Sequence, residues 1–276
     1  MSYQIGVIGS GIMGRGITEA CLLSGFKVKL YDIDSEALSK AVIKVKNAAE
    51  RKAQPKLAQG LENLESCNKI EDFQDCDLVI EAATEKLDVK KSIFQQVENV
   101  VSEHAILASN TSGISITAIA SSCTYRNRVI GLHFFNPAQK MPLVEVINGL
   151  ETSSEVTEKA SEFVKALEKT PILAKDVPGF VVNKIVTPML NEAMHMLDNG
   201  VASKEDIDQA MKLGMGHPMG PLELSDFIGL DTLLHFLEHL HNQTGLDHYR
   251  PSNLLRQKVT AGHLGRKTGR GFYNYE

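Results

Sequence analysis

Ile5-Gly6-Val7-Ile8 runs straight into Gly9-Ser10-Gly11-Ile12-Met13-Gly14, and this junction decides the fold. The apolar run reads as a buried strand, and Ile17, Ala20, Cys21 and Leu22 then recur at helical spacing until Gly25. A GxGxxG run alone is a weak signal. Here it follows a strand, opens a helix and precedes a second strand, Val28-Lys29-Leu30-Tyr31, that stops at an acid, Asp32. That is the full context of a dinucleotide-binding turn. Gly9 permits the tight turn, Gly11 lets the backbone approach a pyrophosphate, and Gly14 lets the helix close on the strand. Ile12 and Met13 complete the loop at a helix N-terminus that favours negative charge. Asp32 accepts from ribose hydroxyls and repels a 2'-phosphate, which favours NAD over NADP.

Outward from this turn, strand and helix alternate. Asp77-Leu78-Val79-Ile80-Glu81-Ala82 is a buried-type strand, with a helix over 89–100 after it. Ala105-Ile106-Leu107-Ala108-Ser109, Arg128-Val129-Ile130-Gly131-Leu132-His133, 143–147 and 171–174 are further strands, with a helix over 154–169 before the last. This rhythm predicts an α/β fold, a Rossmann-type doubly wound, mainly parallel sheet. Residues 44–60 depart from it: they are polar and carry Lys44, Lys46, Arg51, Lys52 and Lys56. They read either as a solvated helix-loop surface or as a basic projection that grips the phosphates of a large substrate.

Asp176-Val177-Pro178-Gly179 is a turn signal, and strand periodicity stops there. The expected division is an NAD-binding domain over 1–177 and an all-α substrate and dimerisation domain over 178–276. The second domain opens with a long apolar helix over 180–199, kinked at Pro188 and ended by Gly200. Ser203, with Asp206 three residues on, caps the next helix. Further helices are expected over 226–241 and 251–261. A helix as apolar as the first needs burial on several faces, which predicts a homodimer through the helical half.

The chemistry is concentrated around His133. Glu145 follows twelve residues later and Ser112 precedes it by twenty-one. A histidine, a carboxylate to orient it and a neighbouring hydroxyl can take a proton from an alcohol. Beside a nicotinamide cofactor, that set implies a dehydrogenase. The plainer readings are a core histidine bonded to a strand carbonyl, and a Glu145 on the solvent face of its strand. Likewise Glu81 and Glu85 read as acids at a helix start. His235 and His239 share a helix face without a third ligand pattern, so no metal is expected. The four cysteines show no paired or ligand spacing, which suits a reduced, cytoplasmic compartment. A net charge of -5 argues against nucleic-acid or anionic-membrane binding. No apolar run approaches membrane-spanning length, and a strand from Tyr3 onward leaves no room for a leader.

Together, the fingerprint, Asn110-Thr111-Ser112, His133-Phe134-Phe135-Asn136-Pro137, Pro178-Gly179-Phe180-Val181-Val182-Asn183, Gly216-His217-Pro218-Met219-Gly220-Pro221 and Gly265-Arg266-Lys267-Thr268-Gly269-Arg270-Gly271-Phe272-Tyr273 closely resemble the L-3-hydroxyacyl-CoA dehydrogenase family, in particular its branch acting on 3-hydroxybutyryl-CoA. The resemblance implies NAD as cofactor and a short (3S)-3-hydroxyacyl-CoA as substrate. By the same resemblance His133 is the base, Glu145 its orienting carboxylate, Ser112 a donor to the reacting oxygen and Asn183 a substrate contact. Glu85, Lys90, Asn136 and Lys267 would line the cofactor, and Lys56 would lie near coenzyme A. The 44–60 segment is several residues shorter than the family's helical hairpin. A carrier-protein-bound hydroxyacyl group or a free sugar or hydroxy acid is the alternative substrate, and a catalytically silent NAD-binding protein the alternative of another class.

Overall fold

The structure, a computed structural model, describes residues 3–51 and 55–275, without the Arg51 side chain. It divides into two compact units, Met1–Phe180 and Val181–Glu276. In the first, strands β1 (Gln4–Ile8), β2 (Lys27–Tyr31), β3 (Leu64–Cys67), β4 (Leu78–Glu81), β5 (Ile106–Ser109), β6 (Val129–Phe134), β7 (Leu143–Asn148) and β8 (Thr170–Lys175) form one sheet. Their order is β3-β2-β1-β4-β5-β6-β7-β8. Every neighbouring pair is parallel except β6 and β7, which run antiparallel. The order turns back between β1 and β4, and a doubly wound sheet opens its ligand crevice at such a switch point.

Helices α1 (Ile12–Leu23), α2 (Ser35–Arg51), α3 (Pro55–Gly60), α4 (Leu87–Glu98), α5 (Ile116–Ala120) and α6 (Ser154–Ala166) connect these strands. Alternate strand residues feed two cores. Ile5, Val7, Leu78, Ile80, Ile130, Leu132, Val144 and Val146 pack with α1, α2, α3 and α6. Ile8, Val79, Leu107, Val129 and Ile147 pack with α4 and α5. By the same period of two, Glu81, Ser109, His133 and Glu145 all belong to the α4/α5 face. One sheet face thus collects the polar residues of four strands.

The structure departs from the sequence reading at two places in this unit. β3 is absent from the sequence reading because Leu-Glu-Ser-Cys has no apolar run; it is a short edge strand with an exposed centre. The 44–60 segment is not a free projection. α2 buries Ala41, Val45 and Ala49, and α3 closes on α1 so tightly that a Cβ on Gly60 would lie 2.5 Å from the Leu22 carbonyl oxygen. Lys44, Lys46 and Lys56 remain on its outer side, whereas Lys52 lies outside the described residues. Cys21, Cys67, Cys76 and Cys123 are buried free thiols; burial pushes the first three up to about 12 and Cys123 to about 11.

The second unit is helical: α7 (Val182–Asp198), α8 (Lys204–Met215), α9 (Pro221–Ile228), α10 (Leu230–Thr244) and α11 (Asn253–Thr260). Gly200 (φ +66°) follows α7, and the Ser203 hydroxyl accepts from the Asp206 N–H at the start of α8. The single helix expected over 226–241 is two, broken at Gly229 (φ +102°). Asp226, on α9, has a buried carboxylate that accepts from the Phe272 and Tyr273 N–H groups and the Tyr275 hydroxyl, tying the C-terminal segment to that helix. A Cβ on Gly271 would fall 1.9 Å from that carboxylate, so glycine is required there. Among the described residues no helix is long and apolar enough to cross a membrane.

Candidate active site

The glycine turn has three glycines with three different surroundings. Gly9 adopts φ +99°, and a Cβ there would meet the Ala82 carbonyl at 2.6 Å. A Cβ on Gly14 would lie 1.8 Å from the Gly9 oxygen. Around Gly11 a Cβ would meet nothing within 4 Å. The first two glycines serve the chain's own packing, and the third leaves an open approach. Gly11 is the N-cap of α1, which has no side-chain cap and no acid in its first turn, so its orphan N–H groups are available to an anion.

Asp32 stands at the end of β2, where its Oδ2 accepts from both the N–H and the hydroxyl of Ser10 at 2.7 Å. Burial would raise its carboxyl; hydrogen bonds from Asp34 and Ser10 outweigh that and hold it below the usual range. Asp32 therefore fixes the glycine loop as well as standing beside the crevice. A cleft of about 730 Å³ opens here, lined by Ile8, Gly11, Asp32, Ala83, Val89 and Ile93 among others. Its size, its anion-binding helix start and its acid fit a dinucleotide.

Past the end of β4 lies a second polar group. Glu81 and Lys90 are each 1% exposed, and the ammonium bonds both Glu81 oxygens, at 2.9 and 3.0 Å. Glu81 also accepts from the Ala83 N–H and the Ser109 hydroxyl. Lys90 reaches Glu85 at 3.2 Å, and Glu85 Oε1 in turn accepts from the Thr111 hydroxyl at 2.6 Å, the Ser112 N–H at 2.9 Å and the Ser112 hydroxyl at 3.2 Å. Burial raises the Glu85 carboxyl, but the Lys90 charge and the Thr111 and Ser112 bonds leave it below its ordinary value. Glu81 is thus the inner half of a buried ion pair, rather than an acid at a helix start.

His133 and Glu145 face each other directly across the antiparallel β6–β7 ladder. His133 Nδ1 lies 2.7 Å from Glu145 Oε2, both side chains being buried. Glu145 is 0% exposed, which removes the solvent-face reading, and the His133 partner is a carboxylate and not a strand carbonyl. Phe135 and Phe180 flank the imidazole, with ring centroids 4.5 and 5.8 Å away. Phe180 holds this position with a left-handed backbone (φ +49°), uncommon for a bulky residue. Asn110 Oδ1 accepts from the Phe134 N–H at 2.9 Å and ties the end of β5 to that of β6.

Ser112, Glu85 and Lys90 therefore form one connected group, and His133 with Glu145 another, at the ends of the central strands. The Ser112 hydroxyl donates to Glu85 here, so it would have to turn to donate to a reacting oxygen. Asn136 is exposed just beyond β6, and Lys56 is exposed on α3. Asn183 falls in the first turn of α7, in the second unit. Lys267, also in that unit, is held by Asp231 through both carboxylate oxygens, at 2.5 and 2.6 Å. Sequence reading missed Thr111, Ser109, Phe180 and the Glu81–Lys90 pair. Strand parity alone marks Glu81 and Ser109 as sharing the His133 face.

A dinucleotide crevice with a buried imidazole–carboxylate pair at the same edge of the sheet is the layout of a nucleotide-dependent oxidoreductase. Comparison with known proteins makes the class specific. Residues 4–177 match the model for the 3-hydroxyacyl-CoA dehydrogenase NAD binding domain, and residues 179–275 that for the 3-hydroxyacyl-CoA dehydrogenase C-terminal domain. The chain is 48% identical over 278 residues to a probable 3-hydroxybutyryl-CoA dehydrogenase of Deinococcus radiodurans, covering 99% of this chain and 100% of the relative. It is 41% identical to the human mitochondrial hydroxyacyl-coenzyme A dehydrogenase, over 99% of this chain and 91% of the relative. The crystal structure of (S)-3-hydroxybutyryl-CoA dehydrogenase from Ralstonia eutropha superposes with a TM-score of 0.95 at 44% identity, over 100% of both chains. The chain belongs to the 3-hydroxyacyl-CoA dehydrogenase family. It is an NAD-dependent oxidoreductase acting on a CH–OH group.

Proposed function

We propose that the protein interconverts a short-chain (3S)-3-hydroxyacyl-CoA, such as 3-hydroxybutyryl-CoA, and the corresponding 3-oxoacyl-CoA. The observation that carries this reading is the buried His133–Glu145 pair, 2.7 Å apart at the end of β6. An ionised Glu145 can only accept, so the proton sits on Nδ1 and Nε2 keeps its lone pair. In the oxidation direction Nε2 takes the C3 hydroxyl proton, and Glu145 stabilises the imidazolium that forms. NAD, when bound, supplies the acceptor for the C3 hydride. Ser112 and Asn183 donate to the reacting oxygen as it becomes more negative in the reducing direction. Phe135 and Phe180 keep water from the imidazole face. Gly9, Gly11, Ile12, Met13, Gly14, Asp32, Glu85, Lys90, Asn136 and Lys267 contribute to the cofactor site, and Lys56 to the coenzyme A end.

In this reading residues 1–177 supply the cofactor site except for Lys267, and residues 178–276 complete the substrate site and pair two copies of the chain in a cytoplasmic homodimer. Ile185, Val201, Leu213, Met215 and Phe227, all exposed in the second unit, support the pairing; a monomeric mass in solution would remove it. The short-acyl preference rests on the relatives named for 3-hydroxybutyryl-CoA.

The test is NADH oxidation with acetoacetyl-CoA, beside an acetoacetyl thioester that lacks the nucleotide. The full ester is expected to win by orders of magnitude in kcat/KM, because remote binding energy is used at the reacting centre. Equally poor turnover of both, with NADH still bound, would point to a carrier-bound group or a free hydroxy acid.

A further inference from the structure

We propose that Glu81 is a positioning residue for the reaction, acting on Ser112 through Lys90 and Glu85. The proposal rests on the reading that Ser112 bonds the reacting oxygen. It starts from an imbalance. A buried lysine needs one carboxylate to offset its charge, yet Lys90 touches two. Glu81 binds it with both oxygens and is itself fixed by the Ala83 N–H and the Ser109 hydroxyl. The ammonium therefore cannot follow Glu85 if that side chain moves.

Glu85 is different in kind. Its side chain is 41% exposed, and it stands over the loop after β5 with three donors from Thr111 and Ser112 on one oxygen. A half-exposed carboxylate on a loop would normally sample several rotamers. Here the ammonium anchored by Glu81 fixes one oxygen, and the other is thereby aimed at Ser112. Glu81 touches neither Ser112 nor the cleft oxygen that Ser112 would address. Its shortest side-chain route to the Ser112 hydroxyl is Glu81–Lys90–Glu85–Ser112, two hydrogen bonds and an ion pair, each 3.2 Å or less; a longer one runs through the Ser109 hydroxyl to the Thr111 N–H at 3.3 Å.

This makes a prediction that a purely structural Glu81 does not. The full-length protein is assayed for acetoacetyl-CoA reduction as wild type, Ser112→Ala, Glu81→Gln and the double variant. Loss of positioning is expected to lower kcat of Glu81→Gln roughly 10- to 100-fold, with the acetoacetyl-CoA KM changed less than about threefold. In the Ser112→Ala background the same substitution should cost less than about twofold, because the group it positions is already gone. An equal cost in both backgrounds overturns the proposal. So does an unaltered Ser112→Ala single variant, which also removes the reading of Ser112 and is recognised by that variant alone. Should Glu81→Gln fail to fold, Glu81→Gln with Lys90→Met leaves no unpaired buried ammonium and enters the same cycle. Wild-type kcat in that pair variant overturns the proposal equally.

Discussion

Lys90–Glu81 and His133–Glu145 lie on the same face of one sheet, each with a fully buried carboxylate, yet only one of their cations ordinarily gives up a proton near neutral pH. The strand scaffold differs in step with the chemistry. Glu81 ends a parallel strand and meets a lysine from the following helix, a contact local in sequence. His133 and Glu145 meet across the one antiparallel step in the sheet, where opposed side chains lie closest. The first pair is joined through Glu85 to the loop that carries Ser112 and offers charge and position rather than a transferable proton. In the proposed mechanism the second accepts a proton and returns it. Burial alone therefore does not distinguish the two pairs; the proton-exchanging chemistry of an imidazole does.

The largest expected difference between the pairs is in rate. Glutamine in place of His133 keeps a donor for Glu145 but no base. Its kcat/KM for acetoacetyl-CoA should fall about 10²- to 10⁴-fold, while NADH binding by fluorescence titration is retained. A loss of less than tenfold would show that the base is elsewhere. Stability gives the next contrast. Lys90→Met leaves two carboxylates without their shared cation and should cost about 3–5 kcal/mol in urea unfolding at neutral pH, the usual consequence of breaking a buried pair. A Lys90→Met protein as stable as wild type would show that the buried ion pair adds nothing to folding.

The smallest effect is in acid. The folded-state carboxyl of Glu85 is depressed by Lys90 and its hydroxyl and amide donors, against burial. Its contribution is thus fully present above the unfolded value, about 4.3, and is lost as pH falls through the lower folded one. The Tm difference between wild type and Glu85→Gln should be constant above about pH 5 and shrink below about 4.3. A difference that grows in acid would assign the opposite sign to the shift.

What could be read in the sequence follows the range of the forces involved. The glycine turn was legible because its requirements are steric and lie within six residues: Gly14 excludes a Cβ against Gly9 itself. The alternation of strands and helices was legible from apolar runs, and it failed where the run was missing, at β3. The spacing of His133 and Glu145 suggested a partnership, but the ladder that opposes them depends on β7 reversing direction, which neither strand's composition records. Lys90 belongs to α4, and its contact with Glu81 needs the helix docked on that face. The part played by Asp226 was hidden for a similar reason: it looks like any helix-start acid until residues 271–275, far along the chain, return to its carboxylate.

The burial of Cys21, Cys67, Cys76 and Cys123, with thiols raised to about 11 or 12, has a practical side. Thiolate is the species that maleimides and iodoacetamides attack, and at neutral pH these four supply almost none of it. A single cysteine engineered at an exposed site, Leu150 in the first unit or Leu246 in the second, becomes the one fast-reacting handle without first stripping the native thiols. A fluorophore or spin label placed at either would report on its own unit during turnover in an otherwise unaltered protein.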